Sequence, residues 1–255
     1  MTWDSATYLR FAGERTRAAA DLVQRIPLDA PKGIVDLGCG PGNSTALLAA
    51  RWPEATIIGL DSSPEMIHAA RESAVPARFD VADAAAWAPD HTVDLVYSNA
   101  MFHWLDRQED VIARIFAGLA PGACLAFQVP GNHDAPSHRI VREIAAHDPW
   151  ADKFKPALAR NGVSAPASYL RRLRPLARAV DVWETTYLQV LDGEEPVYRW
   201  LRGTTLTPFF GVLPPDLEAR FDAALRDAFA GAYPKEPDGR TLFPFRRIFC
   251  VAVRA

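Results

Sequence analysis

The stretch Gly33–Thr45, GIVDLGCGPGNST, ends an apolar run on an aspartate and then places a glycine at every second position. Gly38, Gly40 and Gly42 have no side chains, so a ligand can lie directly on the main chain there. The next residues have the pattern of a helix, whose first N–H groups are free to bind a polar group. The same glycines also suit a plain tight turn, and a glycine-rich loop alone is weak evidence for a ligand.

Two later aspartates strengthen the ligand interpretation. Asp61 ends the second predicted strand, 19 residues after Gly42, where a carboxylate can accept both hydroxyls of a ribose. The alternative role of Asp61 is to cap the next helix. Asp83 ends the third predicted strand and is suited to accept the exocyclic amine of adenine, with the Ala84 N–H facing a ring nitrogen. The alternative role of Asp83 is an Asx turn that leaves the strand.

The glycine spacing limits the class of cofactor. A nicotinamide dinucleotide fingerprint requires G-x-G-x-x-G or G-x-G-x-x-A, but the sixth position counted from Gly38 is Asn43. The loop therefore favours a nucleoside-bearing cofactor without a pyrophosphate. Two other classes stay open: a nicotinamide dehydrogenase, which Asn43 disfavours, and a binding module that performs no chemistry.

The elements that must position these residues alternate along the first half of the chain. Apolar residues at helical spacing predict a helix over 6–26. Five predicted strands follow, at 33–37, 56–61, 77–84, 92–100 and 124–130, with helices between most of them. Ser62 and Glu65 have the spacing of a capping box at the start of the helix after the second strand. This alternation predicts a parallel sheet with helices on both faces.

The pattern changes after residue 130. Residues 131–180 and 192–245 are mostly helical, whereas 181–191 and 246–255 have strand patterns. Because no shift in composition marks a linker, we predict a single domain over 1–255. It would consist of an N-terminal lid helix over 1–30, a cofactor-binding core over 31–130, two helical cap inserts and two closing strands.

Composition excludes several classes of protein. The 255 residues are 49% apolar and 23% charged, with a formal net charge of −3, which gives no reason to expect a nucleic acid or membrane partner. The three cysteines are far apart and odd in number, so they predict a reducing cytoplasm, not a disulfide framework or a metal site. No signal peptide is apparent, and no window approaches the roughly 18 apolar residues of a membrane span.

Four segments, VDLGCGPGNST, GLDSSPEMI, DVADAAAW and LVYSNAMFHWL, together resemble the class I S-adenosylmethionine-dependent methyltransferases over about residues 33–130. The resemblance implies an α/β fold with a doubly wound, mostly parallel, Rossmann-like sheet of seven strands, the last of them antiparallel. It implies S-adenosylmethionine as the cofactor and S-adenosylhomocysteine as the product. The residues implied to hold the cofactor are Asp36 at its amino group, Gly38, Gly40 and Gly42 along the methionine part, Asp61 and Ser62 at the ribose, Asp83 and Ala84 at the adenine, and Asn99 and Ala100 near the sulfonium.

A narrower resemblance covers nearly the whole chain. The segments YLRFAGERTRAAADLV, FQVPGN and DVWETTYLQVL and the closing FRRIF are similar to the trans-aconitate 2-methyltransferases. This implies methylation of a carboxylate oxygen of trans-aconitate or a related small polycarboxylate; a different small acceptor is the alternative. Thr207 stands where that family has an arginine, and Arg202 lies close enough in the sequence to substitute for it.

The implied acceptor needs cations but no base. A carboxylate with a pKa of about 4 is already ionised at pH 7, so we predict no catalytic general base and no metal. Arginine binds a carboxylate bidentately, which makes Arg15, Arg202 and Arg247 candidates for the carboxylates that are not methylated. Tyr8 is suited to face the sulfonium, and Gln128 at the end of the fifth strand to face the acceptor.

Overall fold

The computed structural model describes residues 12–159 and 162–255, with side chains from residue 16 onward. Across these residues the chain forms seven strands and nine α-helices. The strands are β1 (Gly33–Leu37), β2 (Thr56–Asp61), β3 (Arg78–Val81), β4 (Leu95–Asn99), β5 (Cys124–Pro130), β6 (Ala177–Leu191) and β7 (Thr241–Arg254). The helices are α1 (Ala12–Gln24), α2 (Asn43–Arg51), α3 (Pro64–Glu72), α4 (Gln108–Gly118), α5 (Pro136–Ala145), α6 (Ala151–Leu158), α7 (Pro166–Leu173), α8 (Pro196–Arg202) and α9 (Pro215–Ala232).

The strands form one sheet in the order β3-β2-β1-β4-β5-β7-β6. Strands β1 to β5 pair in parallel with one another, and β7 is antiparallel to β5. The strand order reverses direction between β1 and β4, and open α/β sheets bind ligands at the carboxyl ends of strands that flank such a point. The predicted doubly wound sheet with an antiparallel last strand is confirmed.

Buried apolar runs explain why the central strands form. Four of the five residues of β1 and six of the seven residues of β5 are buried. A parallel strand that is covered by helices on both faces needs apolar side chains on both faces. Asp36 in β1 and Gln128 in β5 are exceptions, since both are polar and almost completely buried.

The internal contacts of the chain divide it into two compact units. The sheet unit comprises Arg15–Pro130, Val163–Thr185 and Arg247–Ala255, and the helical unit includes Gly131–Gly162 and Thr186–Arg246. The prediction of one domain with two inserts stays a prediction. Residues 163–185, which carry α7 and the start of β6, lie in the sheet unit although the sequence pattern groups most of them with the first insert.

Each unit has an apolar core of its own. In the sheet unit, α4 packs its apolar side chains against β4 and β5, and the rings of Phe102 and Phe127 meet edge to face at 5.4 Å. In the helical unit, α6, α8 and α9 contribute buried side chains to one core, and Phe154 packs on Phe221 with ring centroids 4.7 Å apart. Among the described residues, no helix is long and apolar enough to cross a membrane.

Several element boundaries differ from the predicted ones for identifiable reasons. Strand β6 starts at Ala177, not at residue 181, because Ala177, Val180 and Val182 still pack against the core of the sheet unit. Strand β7 starts at Thr241, not at 246, and its alternation buries Phe243 and Phe245 in the core of the helical unit.

The predicted capping box at Ser62 is wrong. Ser63 caps α3 instead, with its hydroxyl accepting from the Met66 N–H at 3.3 Å. Pro64 occupies the first helical position, and a residue before proline is held in an extended conformation, which is the backbone geometry of an N-cap.

Candidate active site

The glycine loop joins β1 to α2 at the carboxyl edge of the sheet. Gly38, Gly40 and Gly42 all have positive φ angles, of 80°, 55° and 93°. A Cβ atom at Gly38 would lie 2.3 Å from the side chain of Met101, so only glycine fits there. A Cβ at Gly40 would meet no atom within 4 Å, so the main chain at Gly40 faces open space. The main chain is therefore open at Gly40, whereas Met101 fills the space beside Gly38 and Phe79 lies beside Gly42.

Asp36 is the buried carboxylate beneath this loop. Its Oδ2 accepts hydrogen bonds from the Ser44 hydroxyl at 2.9 Å and from the Thr45 hydroxyl at 2.7 Å, both in the first turn of α2. Its Oδ1 is buried and has no hydrogen-bond partner among the described residues. Burial raises the pKa of Asp36 to about 6, against the lowering effect of the two hydroxyls. Asp36 therefore has one buried oxygen that can still accept a donor.

Asp61 connects the end of β2 to the loop. Its Oδ2 accepts from the Gly40 N–H at 2.9 Å, and its Oδ1 accepts from the Ser63 N–H at 2.9 Å. The hydroxyl that caps α3 belongs to Ser63, so Asp61 is not the cap residue. Asp61 is half-buried and Ser62 is exposed. Asp61 is the last residue of β2, as predicted, and Ser62 follows it directly.

Asp83 lies two residues beyond the end of β3, not within the strand as predicted. Its Oδ1 accepts from the Ala85 N–H at 2.8 Å, which is the Asx turn that the alternative interpretation describes. This turn takes the chain out of the strand after Val81 and explains the early end of β3. The side chain of Asp83 is exposed, and Ala84 beside it is buried.

A row of polar side chains continues the same edge on β4, β5 and β7. Asn99 and Gln128 are direct cross-strand partners, and Gln128 Nε2 donates to Asn99 Oδ1 at 2.5 Å. Arg247 lies opposite Pro130, and its Nη1 donates to Gln128 Oε1 at 3.4 Å. Ala100 follows β4 with a φ of 57°, a strained conformation for a residue with a side chain. The structure thus brings Asn99, Gln128 and Arg247 into one hydrogen-bonded row.

Comparison with known proteins identifies the family. A family described as a methyltransferase domain matches residues 34–122. The trans-aconitate 2-methyltransferase of Azoarcus sp. strain BH72 is 47% identical over 253 residues, which cover 99% of each chain. That of Streptomyces avermitilis is 48% identical, with 98% of this chain and 96% of the relative covered. The chain belongs to the trans-aconitate 2-methyltransferase family.

Solved structures support the fold of this family member at low sequence identity. The YcgJ protein of Bacillus subtilis superposes with a TM-score of 0.59 and 14% identity, covering 93% of this chain and 98% of its own. A geranyl diphosphate C-methyltransferase of Streptomyces coelicolor, in complex with S-adenosylhomocysteine, has a TM-score of 0.51 and 15% identity, covering 94% of this chain and 79% of its own.

The structure does not bring the other predicted acceptor-binding residues of this trans-aconitate 2-methyltransferase family member into the row. Tyr8 lies outside the described residues, and so does the side chain of Arg15. Arg202 is in the helical unit, exposed, with its guanidinium 3.7 Å from the ring centroid of Phe210. Thr207 begins a short 3₁₀ turn in the same unit. Their roles in acceptor binding stay predictions.

Sequence reasoning missed three residues that support the site. Ser44 and Thr45 fix Asp36, and Met101 packs directly against Gly38. The hydroxyl pair was visible in the sequence as Ser-Thr at the start of the helix after the loop, where first-turn side chains can reach back to the preceding strand. Nothing in the sequence indicated the contact between Met101 and Gly38.

Proposed function

We propose that this enzyme transfers a methyl group from S-adenosylmethionine to a carboxylate oxygen of trans-aconitate, giving the monomethyl ester and S-adenosylhomocysteine. The observation that carries the proposal is the extent of the match. Relatives named trans-aconitate 2-methyltransferase align with 98 to 99% of this chain, well beyond the methyltransferase domain at residues 34–122. Their similarity therefore includes the helical unit, which lies outside the shared cofactor-binding segment.

The residues at the glycine loop fit the methionine part of S-adenosylmethionine. A buried carboxylate oxygen without a partner, Oδ1 of Asp36, is suited to accept from the cofactor's ammonium group, directly or through water. The open space at Gly40 lets a ligand approach the main chain, and Gly38 and Gly42 on either side hold the loop backbone at positive φ angles. When bound, the cofactor supplies a methyl group on a positively charged sulfur.

The remaining cofactor contacts follow the same edge. Each oxygen of Asp61 accepts one backbone N–H, and a carboxylate oxygen has a second lone pair, so Asp61 retains the capacity to accept the ribose hydroxyls beside Ser62. The same argument applies to Asp83, whose Asx turn uses one oxygen and is compatible with an adenine amine at the other, next to the Ala84 N–H. Asn99 and Ala100 would line the end near the sulfur.

The side chains of this protein would orient the acceptor and supply positive charge to bind it. The acceptor carboxylate is ionised at neutral pH and is already a nucleophile, so no side chain has to remove a proton. Arg247, buried beside Gln128, is suited to bind a carboxylate of the acceptor that is not methylated. A tight arginine pair on the reacting carboxylate would lower its nucleophilicity. Arg15, Arg202 and Tyr8 are further candidates for the acceptor site.

The cysteines and the net charge bear on location and partners. We propose a cytoplasmic enzyme, because Cys39, Cys124 and Cys250 are all free and buried. We also propose that its partner is the small acid alone, without nucleic acid, since the formal net charge of −3 offers no basic surface excess.

A labelling assay tests the proposed function. The protein is incubated with S-adenosylmethionine labelled in its methyl group and with trans-aconitate, cis-aconitate, citrate or a monocarboxylate. We expect base-labile methyl ester to form fastest with trans-aconitate. The Asp61→Ala variant is the control, and it should lose most of the signal at low cofactor concentration. Faster esterification of another acid, or label that resists base, would contradict the proposal.

A further inference from the structure

The turn that follows β3 is held together partly from within. The carbonyl oxygen of Asp83 accepts from the N–H groups of Ala86 at 3.1 Å and Trp87 at 2.9 Å. Its carboxylate accepts from the Ala85 N–H at 2.8 Å. These bonds shape residues 83–87, which we call the adenine turn after the base proposed to bind there. Because they all lie inside one five-residue segment, they do not by themselves set where the turn stands relative to the sheet.

Arg114 of α4 contacts this turn from outside. Its Nη1 donates to the Trp87 carbonyl at 2.6 Å, and its Nη2 donates to the Ala85 carbonyl at 2.8 Å. One planar guanidinium thus binds two carbonyls of the same turn, which restricts both the position and the orientation of the turn. Ile112 and Ile115, on either side of Arg114 in the sequence, are buried in the core of the sheet unit, so α4 is a fixed support.

The adenine turn presents a carboxylate that a ligand can reach. Asp83 is exposed, and Ala84 beside it is buried. An adenine base carries an exocyclic amine, which donates, next to a ring nitrogen, which accepts. A carboxylate and a neighbouring backbone N–H complement this pair only if the turn holds both against the edge of the base. A displacement of the turn should therefore weaken the discrimination between bases as well as the affinity.

We propose that Arg114 is a positioning residue for recognition of the adenine base of S-adenosylmethionine. Its guanidinium acts through the main chain of the adenine turn, which it holds so that the Asp83 carboxylate and the Ala84 N–H meet the edge of the base. The enzyme then selects adenine over a purine whose donor and acceptor are exchanged. This inference rests on the proposed function, in which Asp83 and Ala84 are placed at the adenine.

Affinities for two cofactor products that differ only in the base test the proposal. S-inosylhomocysteine has a carbonyl oxygen in place of the exocyclic amine and an N–H in place of the adjacent ring nitrogen. The unsubstituted enzyme should bind S-adenosylhomocysteine at least about 30-fold more tightly, because both hydrogen bonds are lost with the other base. Arg114→Ala should weaken S-adenosylhomocysteine by about tenfold and S-inosylhomocysteine by less than about twofold, since only adenine uses the positioned pair. Both affinities are measured by calorimetry without an acceptor acid.

Three further variants sharpen the measurement. Arg254→Ala is the matched control, because its guanidinium also donates to a main-chain carbonyl, that of Leu176, and it should leave both affinities unchanged. Arg114→Lys keeps the positive charge but lacks the planar fork that spans two carbonyls, so it should recover only part of the preference for adenine. In an Asp83→Ala background, Arg114→Ala should have little further effect on the preference, because both residues act on the same contact.

A purely structural role of Arg114 predicts a different result, in which Arg114→Ala weakens both products equally. That result would overturn the proposal, as would an unchanged preference in Arg114→Ala or an unsubstituted enzyme that does not distinguish the two bases. Should Arg114→Ala not fold, an unchanged preference in Arg114→Lys would overturn it instead. An enzyme that shows the expected loss of preference but does not methylate trans-aconitate would support the role of Arg114 and contradict the proposed function.

Discussion

The two halves of the sheet's carboxyl edge carry opposite kinds of side chain. Carboxylates accompany β1, β2 and β3, whereas amides and an arginine accompany β4, β5 and β7. The residues concerned are Asp36, Asp61 and Asp83 on the first side and Asn99, Gln128 and Arg247 on the second. The boundary lies between β1 and β4, where the strand order reverses. This division suits the proposed reaction between a cationic methyl donor and an anionic acceptor, because opposite charges attract.

The two halves of the edge also differ in the groups that hold their side chains in place. In the acidic half, Asp61 is held by backbone N–H groups and Asp36 by the hydroxyls of the first turn of α2. In the other half, Gln128 is held by side chains of neighbouring strands. Main-chain donors stay in place when a nearby side chain changes, whereas a row of side chains loses its order when one member is removed. Substitutions should therefore separate cofactor binding from acceptor binding.

The largest expected effect is on the acceptor side. Arg247→Ala should lower kcat/KM for trans-aconitate by at least about 100-fold, mostly through KM, because removal of a buried charge partner costs 2–5 kcal/mol. The dissociation constant for S-adenosylhomocysteine, measured by calorimetry, should stay within about threefold. The control is Arg254→Ala, at the other end of β7, whose guanidinium donates to the Leu176 carbonyl at 2.8 Å. Equal losses of acceptor and cofactor binding in Arg247→Ala would contradict the proposed division of the edge into a cofactor half and an acceptor half.

The next effect is on the acidic side. Asp61→Ala should weaken binding of S-adenosylhomocysteine by at least about tenfold, since about 1.4 kcal/mol gives that factor and two hydrogen bonds to a charged group are at stake. A suitable control is Asp80→Ala in β3, which removes a carboxylate paired on the surface with Arg71 and Arg78. Unchanged cofactor affinity in Asp61→Ala would refute the assignment of Asp61 to the ribose.

A third prediction concerns pH. Burial raises the pKa of Asp36 to about 6, and the contact that we propose with the cofactor's ammonium group requires the ionised carboxylate. Affinity for S-adenosylhomocysteine should therefore be full above pH 7 and fall as the pH drops through 6, by about tenfold between pH 7 and pH 5. Asp36→Asn should bind the cofactor weakly at every pH and lose this dependence. A pH profile that is the same in both proteins would exclude Asp36 from the cofactor site.

The sequence predicted the acidic half better than the other half, for a physical reason. Asp61 and the three glycines lie in short segments directly after a strand, so local spacing alone places them at one edge. The contact between Gln128 and Arg247 joins residues 119 positions apart, and it depends on the antiparallel register of β5 and β7, which no local pattern contains. The sequence suggested both residues separately but could not predict that they touch.

The helical unit was the hardest part to predict. Its core contacts, such as Phe154 with Phe221, join helices separated by prolines and loops whose geometry depends on tertiary packing. Strand β7 begins five residues before the predicted start at 246 and includes Pro244, although proline usually marks the edge or end of a strand. Packing of the neighbouring Phe243 and Phe245 outweighs that signal.

The smallest expected effect tests whether the hydroxyls beneath the loop tune Asp36. Thr45 donates to Asp36 Oδ2 at 2.7 Å, and this bond lowers the pKa of the carboxyl against the effect of burial. Thr45→Val keeps the shape of the side chain and removes the donor, so the pKa of Asp36 should rise further. The midpoint of the pH dependence of cofactor binding should then move up by about one unit, while affinity at pH 9 stays unchanged. Thr241→Val, the same change at another buried threonine, should leave the midpoint where it is. A loss of affinity at every pH in Thr45→Val would mean that the hydroxyl shapes the loop and does not tune the charge of Asp36.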